Sequence, residues 1–236
     1  MNNGHTDRQA LLIDADDTLW ETTVHFEHAI QQFIARLNHQ SLSPQEVRLF
    51  LNQVERETIQ ERGYGAHSFA HSLTKCFERL AAEPVTPELH QFIAGFAHRI
   101  ASSPIHPIPG VPETLGYLRR RGHHLIMMTK GDVHEQSGKI ERSGMKEYFA
   151  AVEIVREKKA AAYKNVVAKY ELALQTTWMI GNSPRSDINP ALAAGINAVF
   201  VPNEHTWVLE KEEFETQSSD GRFLKVQRFA DLRKHF

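Results

Sequence analysis

The sequence predicts an α/β fold: a parallel sheet covered by helices, with a bundle of helices inserted near its start. Three observations predict it. From residue 112 onward helical and strand patterns alternate, which implies strand–helix–strand units and parallel pairing. The strand candidates are continuous apolar runs rather than alternating ones, as expected for strands buried on both faces. Between about residues 21 and 103 four amphipathic helices follow one another with no strand pattern among them.

The first strand candidate, Leu11-Leu12-Ile13, runs straight into Asp14-Ala15-Asp16-Asp17. Buried parallel strands deliver functional groups at their C-terminal ends. Asp14 and Asp16 are two apart, so an extended chain puts them on one face. Two like charges that close need positive charge beside them. An oxygen-only ligand set suits Mg2+. The competing reading is an acidic turn in which Thr18 caps a helix.

The helices follow. Val24, Ile30, Phe33, Ile34 and Leu37 share one helical face. Ser43-Pro44-Gln45-Glu46 is a start signal, with Ser at the N-cap, Pro at the first position and Glu at the third. Val47, Phe50, Leu51 and Val54 mark the buried face of that helix. Gly63-Tyr64-Gly65 reads either as a loop whose tip helps choose a substrate or as an ordinary interhelix turn. Phe69, Leu73, Phe77 and Leu80 give a third helix. Thr86-Pro87 opens a fourth, with Leu89, Phe92, Ile93, Phe96 and Ile100. Pro104 to Pro112, with four prolines and a glycine, is the return linker. The expected division is residues 1–20 with 104–236 as the α/β domain and 21–103 as the helical domain.

After the linker the sequence predicts a helix over 112–121, a strand over 124–128, a helix over 134–142 and a strand over 151–155. A helix over 159–170, a strand over 177–180, a helix over 188–194 and a strand over 198–201 come next. Residues 203–220 are polar and predict a loop. Phe223 to Val226 predicts a further strand and Phe229 to Phe236 a short helix.

Composition narrows the class of partner. The chain has 236 residues, 41% hydrophobic and 24% charged, with a formal net charge of −2. It carries no long Lys/Arg run, which argues against nucleic acid or an anionic membrane as its main partner. Cys76 is the single cysteine, so no intrachain disulfide forms, which fits a reducing cytoplasm. Residues 1–10 are polar and predict no signal peptide. No apolar stretch reaches transmembrane length.

Asp14-Ala15-Asp16-Asp17-Thr18-Leu19 resembles the first motif of the haloacid dehalogenase superfamily, Asp-x-Asp-x-Thr, with Asp17 where many members have Gly. Three later strand ends extend the resemblance. Thr129-Lys130-Gly131-Asp132 is similar to the second motif, a Ser or Thr that binds the transferred phosphoryl group, with Lys130 departing from the commoner Asn. Taken alone, this segment is either an anion-binding turn or a plain strand-to-helix turn. Lys158, in Val155-Arg156-Glu157-Lys158-Lys159, matches the third-motif lysine, chosen over Lys159 for its spacing to Tyr163. Gly181-Asn182-Ser183-Pro184-Arg185-Ser186-Asp187 resembles the fourth motif, Gly-Asp-x-x-x-x-Asp, with Asn182 in place of the first acid. Asp187 also reads as an N-cap for the helix that begins at Ile188.

The resemblance implies a Rossmann-like core with a helical cap and a Mg2+-dependent phosphatase of a small phosphorylated metabolite. It implies Asp14 as nucleophile, Asp16 as general acid and base, and Lys158 as the charge-balancing cation. Thr129 and the backbone N–H of Lys130 would bind the phosphoryl group, with the Lys130 ammonium either binding substrate or pairing with Asp17 or Asp132. Asp14, the Asp16 carbonyl, Asp187 and Asn182 would hold the metal. A monomer or weak homodimer is expected. The alternatives are a 2-haloacid dehalogenase, whose relatives lack an acid at the Asp16 position, and a non-catalytic phospho-ligand binder. His67 and His71, one helical turn apart, lack a third ligand nearby, and among fourteen histidines such pairs arise by chance. Cys76 reads as a core residue. Gly181 and Gly195 do not make a dinucleotide fingerprint.

Overall fold

The computed structural model describes residues 8–81, 83–216 and 221–236. The expectations for residues 1–7 and for 217–220 of the polar loop lie outside them. The chain forms two compact units: one holds the described residues up to Glu21 together with Ile105–Phe236, the other is Thr22–Pro104.

The first unit is built on a six-stranded sheet in which every pairing is parallel. Its strands are β1 (Ala10–Ile13), β2 (His124–Lys130), β3 (Ala151–Val155), β4 (Thr177–Gly181), β5 (Asn197–Phe200) and β6 (Phe223–Lys225), in the order β3-β2-β1-β4-β5-β6. The chain leaves β1 toward β2 and β3 and returns to the other side of β1 at β4. β1 and β4 therefore flank the point where the strand order reverses, which is where open parallel sheets form a crevice beyond their C-terminal ends.

Two apolar layers show why the strands read as continuous apolar runs. Leu11, Ile13, Leu125, Met127, Trp178 and Ile180 join one core cluster. Leu12, Ile126, Met128 and Met179, the residues between them, join the other. Both faces of the central strands are thus covered, and an alternating pattern would have left polar groups under helices. The covering helices are Val111–Arg120, Val133–Ser143, Ala160–Lys169 and the short Asn189–Ala193. Strand ends differ from the sequence reading in a way that matters: β2 runs on through Thr129 and Lys130, because both remain paired with β3.

The second unit contains α1 (Thr23–Leu37), α2 (Pro44–Arg62), α3 (Ala66–Leu80) and α4 (Pro87–Ser102). Their shared core holds Ile30, Phe33, Leu51, Val54, Leu73, Ile93 and Phe96. The capping box at α2 forms as the sequence predicts: the Ser43 hydroxyl accepts from the Glu46 N–H, and Glu46 accepts from the Ser43 N–H. No helix of the described residues is long and apolar enough to cross a membrane.

Glu55 is the unusual residue of this unit. It is buried on α2, and its Oε2 has no hydrogen-bond partner among the described residues. Burial pushes its carboxyl up to about 7; Arg48 opposes the rise and Glu27 adds to it. The folded state therefore holds the proton more tightly than the unfolded chain does. Stability falls as pH rises from about 4.5 through 7, and the full penalty stands above that. Glu55→Gln should accordingly stabilise the protein by about 2–3 kcal/mol at pH 8.5 and by much less at pH 5. Urea unfolding at the two pH values measures this, and an equal shift at both would contradict it.

Candidate active site

The site assembles at the C-terminal ends of β1, β2 and β4, with one residue from beyond β3. Asp14 follows β1, and its N–H continues the ladder to the Ile180 carbonyl. Lys158, three residues past β3, donates to Asp14 Oδ1 at 2.5 Å and to Asp187 Oδ1 at 2.8 Å. It is buried, whereas its neighbour Lys159 is exposed and stands at the N-cap of the helix Ala160–Lys169. The Thr18 hydroxyl lies within 3.0 Å of Asp14 Oδ2 and 3.2 Å of Asn182 Oδ1. One ammonium and one hydroxyl thus gather Asp14, Asp187 and Asn182.

Asp14 does not ionise like an ordinary aspartate. Burial, followed by the Asp187 charge, raises its carboxyl to about 7, although Lys158 pulls it down. Two carboxylates around one ammonium leave negative charge uncompensated. The same pair of carboxylates holds the Lys158 ammonium charged well above the usual lysine range, against the effect of its burial.

A hard divalent cation fits this donor set. The oxygens of Asp14, Asp187 and Asn182 converge, sulfur and imidazole are absent from the group, and the excess charge is negative. Among the described residues no three His, Cys, Asp or Glu side chains form a ready cage. Mg2+ suits so sparse a set, because it keeps several waters of its own.

Two backbone details prepare the group. Asp17 has φ +60, a left-handed conformation that Asp tolerates better than most residues, which accounts for Gly at this position in similar motifs. A side chain at Gly181 would lie 2.2 Å from Asp187 Oδ2, so only glycine lets that carboxylate rest against β4. Asp187 does not cap a helix starting at Ile188. It lies inside a wide turn, Pro184–Ile188, and its Oδ2 accepts from the Ser183 N–H at 2.9 Å. The cap is Ser183, whose hydroxyl accepts from the Ser186 N–H.

Asp16 goes elsewhere. β1 ends at Ile13, so the period-two argument stops before it, and Asp16 does not share the Lys158 ammonium with Asp14. It pairs instead with Lys139, at 2.8 Å to Oδ1 and 2.6 Å to Oδ2. Trp20 Nε1 donates to Oδ1 at 2.8 Å and Gln136 Nε2 to Oδ2 at 3.0 Å. Thr129 is buried at the end of β2, and its hydroxyl oxygen lies 2.8 Å from the same Gln136 amide nitrogen.

The Lys130 side chain has two partners that the sequence reading did not name. Its ammonium donates to Glu210 Oε1 at 2.5 Å and to Ser186 Oγ at 2.7 Å, so its charge is already balanced. Asp132, one of the two partners expected for it, caps the next helix by accepting from the Glu135 N–H. Lys130 holds the Glu210 carboxyl below the usual carboxylate range, although burial works the other way.

Glu210 belongs to the segment after β5, which the sequence marks only as a polar loop. That segment ties the site loops together. Asn203 Nδ2 donates to the Asp17 carbonyl, Thr206 Oγ1 accepts from Asn182 Nδ2, and Ser183 Oγ donates to Glu210 Oε2. None of these partners carries a local sequence signal. Gln136 and Lys139 did carry one: long polar residues three apart, on the helix that leaves the Thr129 strand end.

A doubly wound parallel sheet with a Lys-bridged aspartate pair beyond its switch point defines a hydrolase-type α/β core. The profile of the haloacid dehalogenase-like hydrolases matches residues 11–201, and the chain belongs to that family. It is 25% identical over 205 residues to a glyceraldehyde 3-phosphate phosphatase of Methanothermobacter thermautotrophicus, covering 84% of this chain and 87% of that one. It is 26% identical over 158 residues to a phosphoserine phosphatase of Thermus thermophilus, a match over 64% of this chain and about half (54%) of that protein's length. A haloacid dehalogenase-like family hydrolase from Xanthomonas campestris superposes with a TM-score of 0.82 at 27% identity, covering 97% of this chain and 90% of that one.

Proposed function

We propose that the protein is a Mg2+-dependent phosphatase that hydrolyses a small phosphorylated metabolite. The observation that carries this is the separation of two neighbouring carboxylates into two environments. Asp14 is buried against Lys158 and a second carboxylate, and Asp16 is half-buried under its own set of donors. Two carboxylates with different surroundings take different chemical roles. Phosphatase activity in the similar proteins supports the same reading.

Asp14 Oδ attacks phosphorus in line, the bond from phosphorus to the ester oxygen breaks, and Asp16 gives its proton to the departing oxygen. The product is an aspartyl-phosphate on Asp14 and a free alcohol. Asp16, now a carboxylate, takes a proton from water as the water oxygen attacks phosphorus. The bond from phosphorus to Asp14 breaks, phosphate leaves, and Asp16 holds its proton again. Lys158 stays charged throughout and balances the phosphoryl oxygens together with Asp14 and Asp187. Thr129 and the Lys130 N–H bind those oxygens at the end of β2. Mg2+ would be held by Asp14, Asp187, Asn182 and the Asp16 carbonyl, and would supply the positive charge that this group of carboxylates lacks. The helical unit, Thr22–Pro104, serves as the cap and selects the substrate.

A panel of phosphorylated metabolites tests the reading. Turnover should require Mg2+, vanish in EDTA, return when Mg2+ is restored, and be inhibited by Ca2+, whose larger and looser coordination misplaces the nucleophile. Halide release from 2-haloacids in EDTA, without phosphate release from any ester, would overturn it in favour of a dehalogenase. Magnesium titration separates the ligands further. Asp187→Ala should raise the Mg2+ requirement more than Asn182→Ala, since a carboxylate contributes charge and an amide does not.

A further inference from the structure

We infer that Gln136 and Lys139 are positioning residues for Asp16, so that the helix Val133–Ser143 aims the proton donor of the proposed reaction. The inference rests on the phosphatase reading. Asp16 stands on the loop after β1 with its side chain about a quarter exposed (26%), and within that loop the Trp20 indole donates to its Oδ1. The helix supplies the rest. Its start is fixed by Asp132, whose carboxylate accepts from the Glu135 N–H. That phase places Gln136 and Lys139, three residues apart and so on one face, over the Asp16 carboxylate.

The contacts reach both oxygens. Oδ1 accepts from Trp20 and Lys139, and Oδ2 accepts from Gln136 and Lys139. Four contacts from three donor groups define the plane of the group as well as its position. A solvated ion pair alone would hold it loosely, because exposed pairs contribute little.

Gln136 makes this a link between two motifs. Its amide nitrogen lies 2.8 Å from the Thr129 hydroxyl, 2.8 Å from the Lys130 carbonyl and 3.0 Å from Asp16 Oδ2. The carbonyl and the carboxylate only accept, so the amide is oriented with its nitrogen toward them. Gln136 is 3% exposed, and its Oε1 has no partner among the described residues, so the side chain is held by these contacts through its nitrogen alone. Gly131, at φ +142, makes room for it: a Cβ there would sit 3.2 Å from Gln136 Cγ. The proton donor and the phosphoryl-binding hydroxyl are therefore set at a fixed spacing by one side chain.

The test is the dependence of kcat/KM on leaving-group basicity, across aryl and alkyl phosphates, in wild type, Lys139→Met, Lys139→Arg and Gln136→Leu. Proton donation matters most for a basic leaving oxygen and least for p-nitrophenolate. General acid catalysis contributes about 10²- to 10⁴-fold. Lys139→Met should lose about 100-fold on alkyl phosphates and less than about 5-fold on p-nitrophenyl phosphate, with KM for both nearly unchanged. Gln136→Leu should steepen the trend in the same direction, and Lys139→Arg should restore most of it. Equal losses on all esters, or unchanged rates, in variants that melt like wild type would overturn the inference while leaving the phosphatase reading in place. A wild-type protein that hydrolyses no phosphate ester would overturn both.

Discussion

Asp14→Asn should abolish phosphate-ester turnover, by at least about 10³-fold, while the protein becomes no less stable. Asn matches Asp in shape, so it retains an oxygen for the Thr18 hydroxyl that now lies 3.0 Å from Asp14 Oδ2. It is far too weak a nucleophile to form the acyl phosphate. Stability should move the other way. The Asp14 carboxyl is raised to about 7 by burial and by Asp187, so ionising it costs the folded state. That cost is absent below the ordinary aspartate range and complete above 7. In EDTA, the Asn variant should therefore melt at an equal or higher temperature than wild type at pH 8.5, with the difference shrinking at pH 5. Phosphate release and thermal unfolding on the same preparation measure both effects. Near-wild-type activity would remove Asp14 from the mechanism.

Lys158→Met should be the most destabilising single change in the site. The ammonium is buried and shared by Asp14 and Asp187. Its removal leaves two buried carboxylates facing each other with no cation between them. Breaking such a pair typically costs about 3–5 kcal/mol. The sign with pH follows from the carboxylates. Without the ammonium, which lowers the raised Asp14 carboxyl, Asp14 holds its proton still more tightly in the folded than in the unfolded state, so stability falls as pH rises. The loss should be largest above pH 7, and protonation of Asp14 in acid should relieve it. Unfolding in EDTA at pH 5.5 and 8.5 gives the comparison. A loss that is the same at both would mean that Lys158 contributes packing rather than charge.

Much of the architecture was legible in local pattern. Leu11 to Ile13 and Trp178 to Ile180 are continuously apolar because helices cover both faces of the sheet, and that continuity alone points to parallel strands. Ser43 and Glu46 announce the start of their helix because a cap is a contact between residues three apart. Asp14, Thr129, Lys158 and Asp187 could each be picked from a strand end, since a parallel sheet delivers all its strand C-termini to one edge.

What the sequence determined by itself, then, is the set of core strands and the polar residues that follow their apolar runs, because both follow from neighbours a few positions apart. The tertiary structure alone decided which charge meets which. Asp14 and Asp16 are two residues apart yet answer to different lysines, 144 and 123 positions away. Lys130 finds Glu210 across 80 residues, on a segment with no pattern of its own. The raised carboxyl of Asp14 likewise depends on burial and on Asp187, neither of which is local to it. Burial and charge act through space, and only the folded chain fixes the distances on which they depend.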